Sequence, residues 1–319
     1  MTDRKHIVTG AAGFIGSALA ERLLDRGDRV LGIDSITDFY SPEIKRANLR
    51  PLLERPGFEL LERDLLEVDW PSALRDAATV FHQAAQAGVR SSWGADFDIY
   101  LERNVRATQV LLEAVKTRPG ARVVFASSSS VYGETDALPM REDQLPRPQS
   151  PYGVTKLAAE HLCGLYWRNF GVPTVALRYF TVYGPRQRPD MAFHRFIKAG
   201  LRGEAISIYG DGEQTRDFTF VGDAVEANLL AAERGRPGAV YNIGGGTTIA
   251  INAALQIVER VVGKPLRVER REAQKGDVRH TKADWARARE ELGFKPAVGL
   301  EKGLTLEAEW IERSMGMLV

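Results

Sequence analysis

Three features of this 319-residue chain predict a doubly wound α/β fold built on a parallel sheet. Short apolar runs alternate with helical stretches up to about residue 180, the rhythm of strand–helix–strand units. A glycine turn, Gly10-Ala-Ala-Gly13-Phe-Ile-Gly16, stands between the first strand-like run and the first helical one. An acid, Asp34, closes the second run 24 positions after Gly10.

Residues 6–9 read as a buried strand, and residues 17–26 show helical apolar spacing at Ala18, Leu19 and Leu23. Residues 29–34, 58–62, 79–82, 122–126 and 174–179 read as further strands, with helices near 70–76 and 104–117. Gly184-Pro-Arg-Gln-Arg-Pro189 breaks regular structure. Beyond it a smaller lobe is expected, with helices at 192–201, 251–262 and 300–313, a strand at 206–209 and a turn at 210–212. The strand-like run 239–243 is expected to return to the first sheet. The division is therefore 1–180 for the first domain and 181–319 for the second, with segments near 218–247 rejoining the first.

Composition narrows the function. Lys and Arg total 43 against 42 Asp and Glu, a net charge of +1, so no global field favours nucleic acid or an anionic membrane. The single cysteine, Cys163, excludes an internal disulfide framework and reads as a small core residue of a protein in a reducing cytoplasm. The N-terminal residues carry no signal-peptide apolar region, and no segment is apolar for long enough to span a bilayer. His82 and His280 lack ligand spacing, so no metal site is expected.

The glycine turn has a specific chemistry. Gly10 permits a tight turn, Gly13 lets backbone approach a pyrophosphate, and Gly16 lets helix and sheet pack closely. The helix N-terminus then offers free N–H groups and its dipole to the phosphates. Asp34 is placed to accept hydrogen bonds from ribose hydroxyls and to repel a 2′-phosphate. With no basic residue directly after it, NAD is favoured over NADP. Downstream, Tyr152 and Lys156 lie four residues apart behind Pro151, which can open a helix, so phenol and ammonium share one face. A lysine beside a phenol is expected to stabilise the phenolate and lower its pKa, fitting the tyrosine for proton transfer near neutral pH. A serine run, Ser127 to Ser130, ends a strand about two dozen residues earlier.

Together the glycine turn, the acid, the serine run and YxxxK make the chain resemble the extended short-chain dehydrogenase/reductase family over almost its whole length. Within it the nucleotide-sugar 4-epimerases are most similar, through residues 82–90 (HQAAQAGVR), 126–133 (ASSSSVYG), 178–185 (RYFTVYGP) and 216–221 (RDFTFV). The resemblance implies Tyr152, Lys156 and Ser128 as catalytic residues. It implies Phe14, Ile15, Asp64, Leu65, Ala84, Ala85, Gln86, Asn104, Ser127 and Tyr179 as cofactor contacts beside the glycines, Asp34, Tyr152 and Lys156. Arg216 and Arg279 match positions that grip a diphosphate, and Arg188 is expected to reach diphosphate or sugar carboxylate. Arg90, Ser128, Ser129 and Thr181 complete the implied substrate set.

Sugar dehydratases of the family carry an acid pair after the catalytic hydroxyl, where this chain has Ser129 and Ser130. Thr181, Arg188-Pro-Asp-Met191 and the serine run resemble the UDP-glucuronate 4-epimerases. A UDP-glucose/UDP-galactose 4-epimerase shares every catalytic residue and stands as the alternative, with a non-catalytic NAD-binding scaffold behind it. A homodimer is implied, formed through helices near 104–117 and 152–170, with a UDP-sugar as the small-molecule partner and neither nucleic acid nor membrane as another.

Overall fold

Seven parallel strands form the centre of the protein. The structure, a computed structural model, describes residues 4–317 except 119, 136 and 273–275. The strands are β1 (Lys5–Thr9), β2 (Arg29–Asp34), β3 (Phe58–Glu62), β4 (Ala77–His82), β5 (Arg122–Ser128), β6 (Thr174–Tyr179) and an edge strand, Val240–Ile243. From one edge to the other they run β3, β2, β1, β4, β5, β6 and Val240–Ile243. The order reverses between β1 and β4, which opens a crevice at the carboxyl ends of those two strands.

Alternation along each strand builds a core on both faces. Val8, Phe81 and Val124 point to one side with Leu19, Ala227 and Leu230, whereas Ile7, Val80 and Val123 point to the other with Leu111, Ala159 and Cys163. A separate core in the smaller lobe gathers Tyr183, Phe193, Ile197, Phe218, Leu255, Leu304 and Ile311. Its helices are Ala192–Arg202, Ile251–Val262 and Leu300–Met317, and its strands Ala205–Tyr209 and Arg267–Arg271 pair in parallel. The chain passes between the two regions more than once. Val240–Ile243 pairs with β6, and helix Val221–Arg234 packs on helix Phe14–Asp25 beside β5 and β6.

Some elements differ from the sequence pattern. The stretch expected as a helix at 104–117 is a π-helical run, Leu101–Arg106, followed by α-helix Ala107–Lys116. At the junction Thr108 Oγ1 donates to the Asn104 carbonyl at 2.7 Å, a side-chain bond to the i−4 carbonyl of the kind that disturbs helix geometry. The stretch at 70–76 shortens to Trp70–Ala73. The sequence pattern did not include helix Pro42–Leu53, which carries Pro51 in its final turn, where a proline leaves most of the helix intact.

The glycine turn is as tight as its residues suggest. Gly10 has φ +70°, and a Cβ there would stand 2.9 Å from the Ala84 backbone at the end of β4. A Cβ on Gly16 would lie 2.0 Å from the Gly10 carbonyl oxygen. Gly16→Ala must therefore push helix Phe14–Asp25 off the turn. The expected cost is about 1–3 kcal/mol, the usual scale for overpacking, read from urea unfolding. An unchanged midpoint would show slack in the turn.

Candidate active site

One cavity runs across the crevice between the ends of β1 and β4. Gly10, Gly13, Phe14, Ile15 and Gly16 line one wall; Asp34, Asp64 and Leu65 stand at one end; and Ala84, Ala85, Gln86, Ser127, Tyr152, Lys156 and Tyr179 lead toward the other. No side chain caps the first turn of helix Phe14–Asp25 and no acid lies in it, so its N–H groups are available to a pyrophosphate. Asp34 is anchored by its own surroundings, since Oδ2 accepts from Ala12 N at 3.0 Å and Oδ1 from Ile36 N at 2.8 Å. Each carboxylate oxygen keeps a lone pair for a ribose hydroxyl. The cradle and the acid fit a dinucleotide such as NAD.

The gap in positive charge after Asp34 exists in sequence and not in space. Lys45, from helix Pro42–Leu53, and Arg63, after β3, both line the cavity. Lys45 Nζ donates to the Thr37 carbonyl at 2.7 Å and lies 4.8 Å from the Tyr40 ring centroid. A 2′-phosphate at this end of the cavity would therefore meet two cations as well as the Asp34 carboxylate. Asn104 also differs from its expected place. It is buried behind the wall, where its amide bonds the backbone N and O of Gln86 at 2.7 and 3.0 Å and Thr155 Oγ1 at 3.0 Å. It shapes the loop after β4 and does not face the cavity. Ser127 lines the cavity yet donates its hydroxyl to Glu160 at 2.6 Å.

Tyr152 and Lys156 sit in the first turns of helix Pro151–Phe170. Ser150 caps it by accepting from Gly153 N at 3.1 Å, and Pro151 occupies the first helical position. Gly153 is a functional position that YxxxK does not flag. A Cβ there would stand 2.6 Å from the Ser130 carbonyl oxygen, so only glycine lets the helix start close on the serine run. Ser128 ends β5, and its Oγ accepts from Ser130 N at 3.1 Å.

The expected lowering of the Tyr152 pKa is not what the structure gives. Burial pushes the phenol up; a hydrogen bond with Ser128 and the charge of Arg188 pull it back. Lys156 is buried with Nζ 4.6 Å from the Phe125 ring centroid, and burial lowers its ammonium to about 8. The cation acting on the phenol here is therefore Arg188. That residue lines the cavity, lies 5.8 Å from the Phe39 ring centroid and holds Asp190 through two bonds of 3.0 and 2.9 Å. Its loop is fixed at Gly184, whose N–H donates to Glu307 Oε2 at 2.9 Å.

The other implied substrate residues form a second group. Arg90 donates to Asp277 at 2.6 Å and lies 4.3 Å from the Tyr209 ring centroid. Arg216 donates to the Thr215 and Arg279 carbonyls at 2.9 and 3.2 Å, and the Arg279 guanidinium grips Asp211 at 3.1 and 2.8 Å. The three arginines thus converge at the smaller lobe. Ser129 and Thr181 follow the ends of the adjacent strands β5 and β6, in which Ser128 pairs with Tyr179. His82 is held between Thr9 and Thr108 at 2.8 and 3.0 Å, with its pKa lowered to about 3 by burial. It is a neutral strut. Sequence reasoning also passed over Gln83, which lines the cavity, donates to Asn228 at 2.9 Å and accepts from Tyr179 at 3.3 Å.

Residues 6–244 match the NAD dependent epimerase/dehydratase family. The chain belongs to that family. An uncharacterized UDP-glucose epimerase of Bacillus subtilis is 44% identical over 314 residues, covering 96% of this chain and 98% of that one. A UDP-glucuronate 4-epimerase of Thermodesulfobacterium geofontis is 36% identical, covering 98% of each. A Bacillus cereus UDP-glucuronic acid 4-epimerase, crystallised with UDP-glucuronic acid and NAD, superposes with a TM-score of 0.94 at 43% identity, covering 97% of this chain and 99% of that one. Among the described residues of this family member, no helix is long and apolar enough to cross a membrane.

Two outcomes follow from the geometry. Tyr152→Phe removes only a hydroxyl, so NAD is expected to stay bound while turnover falls about a hundredfold or more, the scale of a lost general acid–base. Near-parental turnover would remove Tyr152 from the chemistry. Lys156→Met, with NAD stripped, is expected to unfold at no lower urea concentration than the parent at pH 7, because a buried ammonium is exchanged for a fitting apolar chain. The native lysine releases its proton near 8 and the unfolded one near 10.5. Between these values the unfolded state binds more protons, so the parent gains stability with pH and the gap between the two proteins narrows. A gap that widens from pH 7 to 9.5 would contradict this.

Proposed function

We propose that the protein is a UDP-glucuronate 4-epimerase, interconverting UDP-glucuronate and UDP-galacturonate. The observation that carries this reading is Arg188 in the cavity wall, where its charge acts on Tyr152, beside strand ends that bear Ser128, Ser129 and Thr181 and no acid. A carboxylated sugar needs a cation and hydroxyls there. Elimination of water needs an acid–base pair, and serines stand in its place.

NAD supplies the hydride acceptor and donor, and no net oxidation occurs. Tyr152 takes the proton of the C4 hydroxyl, helped by Ser128, and later returns it. Lys156 holds the nicotinamide ribose, and the charge of Arg188 favours the phenolate. Arg90, Arg216 and Arg279 bind the diphosphate, exchanging bonds with Asp277, backbone carbonyls and Asp211 for phosphate oxygens. Between the two proton transfers at Tyr152 the sugar would turn about its link to the diphosphate. The 4-keto form of this substrate is a β-keto acid, which loses carbon dioxide readily when the C5–carboxylate bond stands perpendicular to the carbonyl plane. Ser128, Ser129 and Thr181 hold the carboxylate away from that geometry by hydrogen bonds.

We also assign residues 1–180, with segments near 218–247, to cofactor binding and the remainder to the sugar lobe. We propose a cytoplasmic homodimer as well. Supporting the dimer, Ile99 and Leu101 are exposed on the helical run at 97–106, and Val154 and Leu165 on helix Pro151–Phe170, which packs against that run. A second reading, UDP-glucose 4-epimerase, is favoured by the name of the Bacillus subtilis relative. A scaffold role has no need of Ser128, Tyr152 and Lys156 together.

The test follows products by NMR with UDP-glucuronate and UDP-glucose. Thr181→Val and Ser129→Ala are expected to reduce UDP-glucuronate turnover more than UDP-glucose turnover, by about tenfold or more given how steeply rates depend on placement. They are also expected to release a decarboxylated UDP-4-keto-pentose. Equal losses on both sugars with no pentose would move the UDP-glucose reading ahead.

A further inference from the structure

A buried ionic tie lies one turn below Lys156 and takes no part in the chemistry above. Glu160 accepts from Arg178 Nε at 3.0 Å and from Arg178 Nη2 at 2.6 Å, and its Oε2 also accepts from Ser127 Oγ at 2.6 Å. Both charged side chains are only 4% exposed. The guanidinium lies 4.7 Å from the Tyr132 ring centroid, and the Tyr132 hydroxyl donates to Asn242 Oδ1 at 2.7 Å. Ser127, Arg178 and Asn242 stand side by side on β5, β6 and the edge strand, since Ser127 pairs with Arg178 and Arg178 with Asn242. One helix residue is thus tied to a row running across three strands.

We propose that Glu160 and Arg178 are positioning residues: the pair sets the rotation and seating of helix Pro151–Phe170 so that Tyr152 meets Ser128 and Lys156 reaches the cavity. The proposal rests on the epimerase reading, because Tyr152 and Lys156 must be the reacting pair. Its warrant is directional. Apolar contacts would hold the helix equally firmly, but they slide, whereas a planar fork gripping both carboxylate oxygens fixes an angle as well as a distance. The tie also meets the strand next to where precision is needed, for Ser127 is the neighbour of Ser128. Charge works in the same sense. Cys163 and Glu160 on its own helix act on Lys156, and Lys156 acts on His82 of β4; Tyr152 stands a turn earlier on the helix, and Arg178 of β6 is paired to Glu160. Of these only Glu160 is a carboxylate, and it favours the ammonium against burial.

The test compares the parent with Glu160→Gln and with the double variant Glu160→Met/Arg178→Met, which removes both charges together and leaves neither stranded. Folding is checked by thermal unfolding and bound NAD by absorbance; kcat and KM for the UDP-sugar are then measured across pH. In the double variant kcat is expected to fall about tenfold or more, as small displacements of reacting groups do, while KM and NAD content stay within about twofold. In Glu160→Gln the alkaline limb of kcat is expected to move to lower pH, because the ammonium of Lys156 has lost its anion. Parental kcat and pH profile in a folded variant would overturn the proposal. So would a loss confined to KM, or a failure of both variants to fold, which would make the pair purely architectural. A parent inactive on both UDP-glucuronate and UDP-glucose would bring down the epimerase reading instead, and this assignment with it.

Discussion

The close approach of two backbones at the ends of β1 and β4 governs everything built around them. Gly10 packs directly on Ala84, and Gly16 packs on Gly10, so strand, turn and helix occupy space that side chains would otherwise fill. Because the sheet order reverses at this point, the connections from β1 and β4 leave to opposite sides and cannot close the crevice. Asp34 reinforces the same turn from β2 by accepting from Ala12 N. The glycine cradle, the acid and the ends of the neighbouring strands thus share one reference frame, fixed by main-chain contact.

How much of this was legible follows from which residues act through local chemistry. Gly10, Gly13, Gly16 and Asp34 announce themselves, since turn, helix start and strand end are contiguous in the chain. Tyr152 and Lys156 are legible for the same reason, being one helical turn apart. Lys45, Arg63 and Gln83 are not, because they reach the cavity only once β2, β3 and β4 are side by side. Asn104 is a residue whose surroundings the sequence does not give: it sits in the π-helical run, and its amide bonds the backbone of Gln86 in the loop after β4. Gly153 escapes notice because its neighbour, the Ser130 carbonyl, is distant in sequence.

Burial and charge are set against each other throughout the site. Lys156 is an ammonium that its surroundings push toward neutrality, and the Tyr152 phenol is held above its ordinary value. Burial thus brings Lys156 closer to releasing its proton near neutral pH and takes the Tyr152 phenol further from releasing its own, which leaves Ser128 and Arg188 to draw the phenol back. Glu307 extends the theme beyond the cavity. Burial holds it well above the usual carboxylate range, and it still orders the loop carrying Arg188 through the Gly184 N–H.

The edge strand Val240–Ile243 has a consequence for how the protein is made. It completes the sheet that begins at residue 5, yet it follows the first helix and strand of the smaller lobe in the chain. During synthesis β6 emerges long before its outer partner, and until residue 243 has left the ribosome its backbone edge stands open to pairing with another chain. Neither lobe is a continuous stretch that folds first and waits for the other. The nascent chain must keep an unfinished sheet soluble while the smaller lobe is being threaded through it.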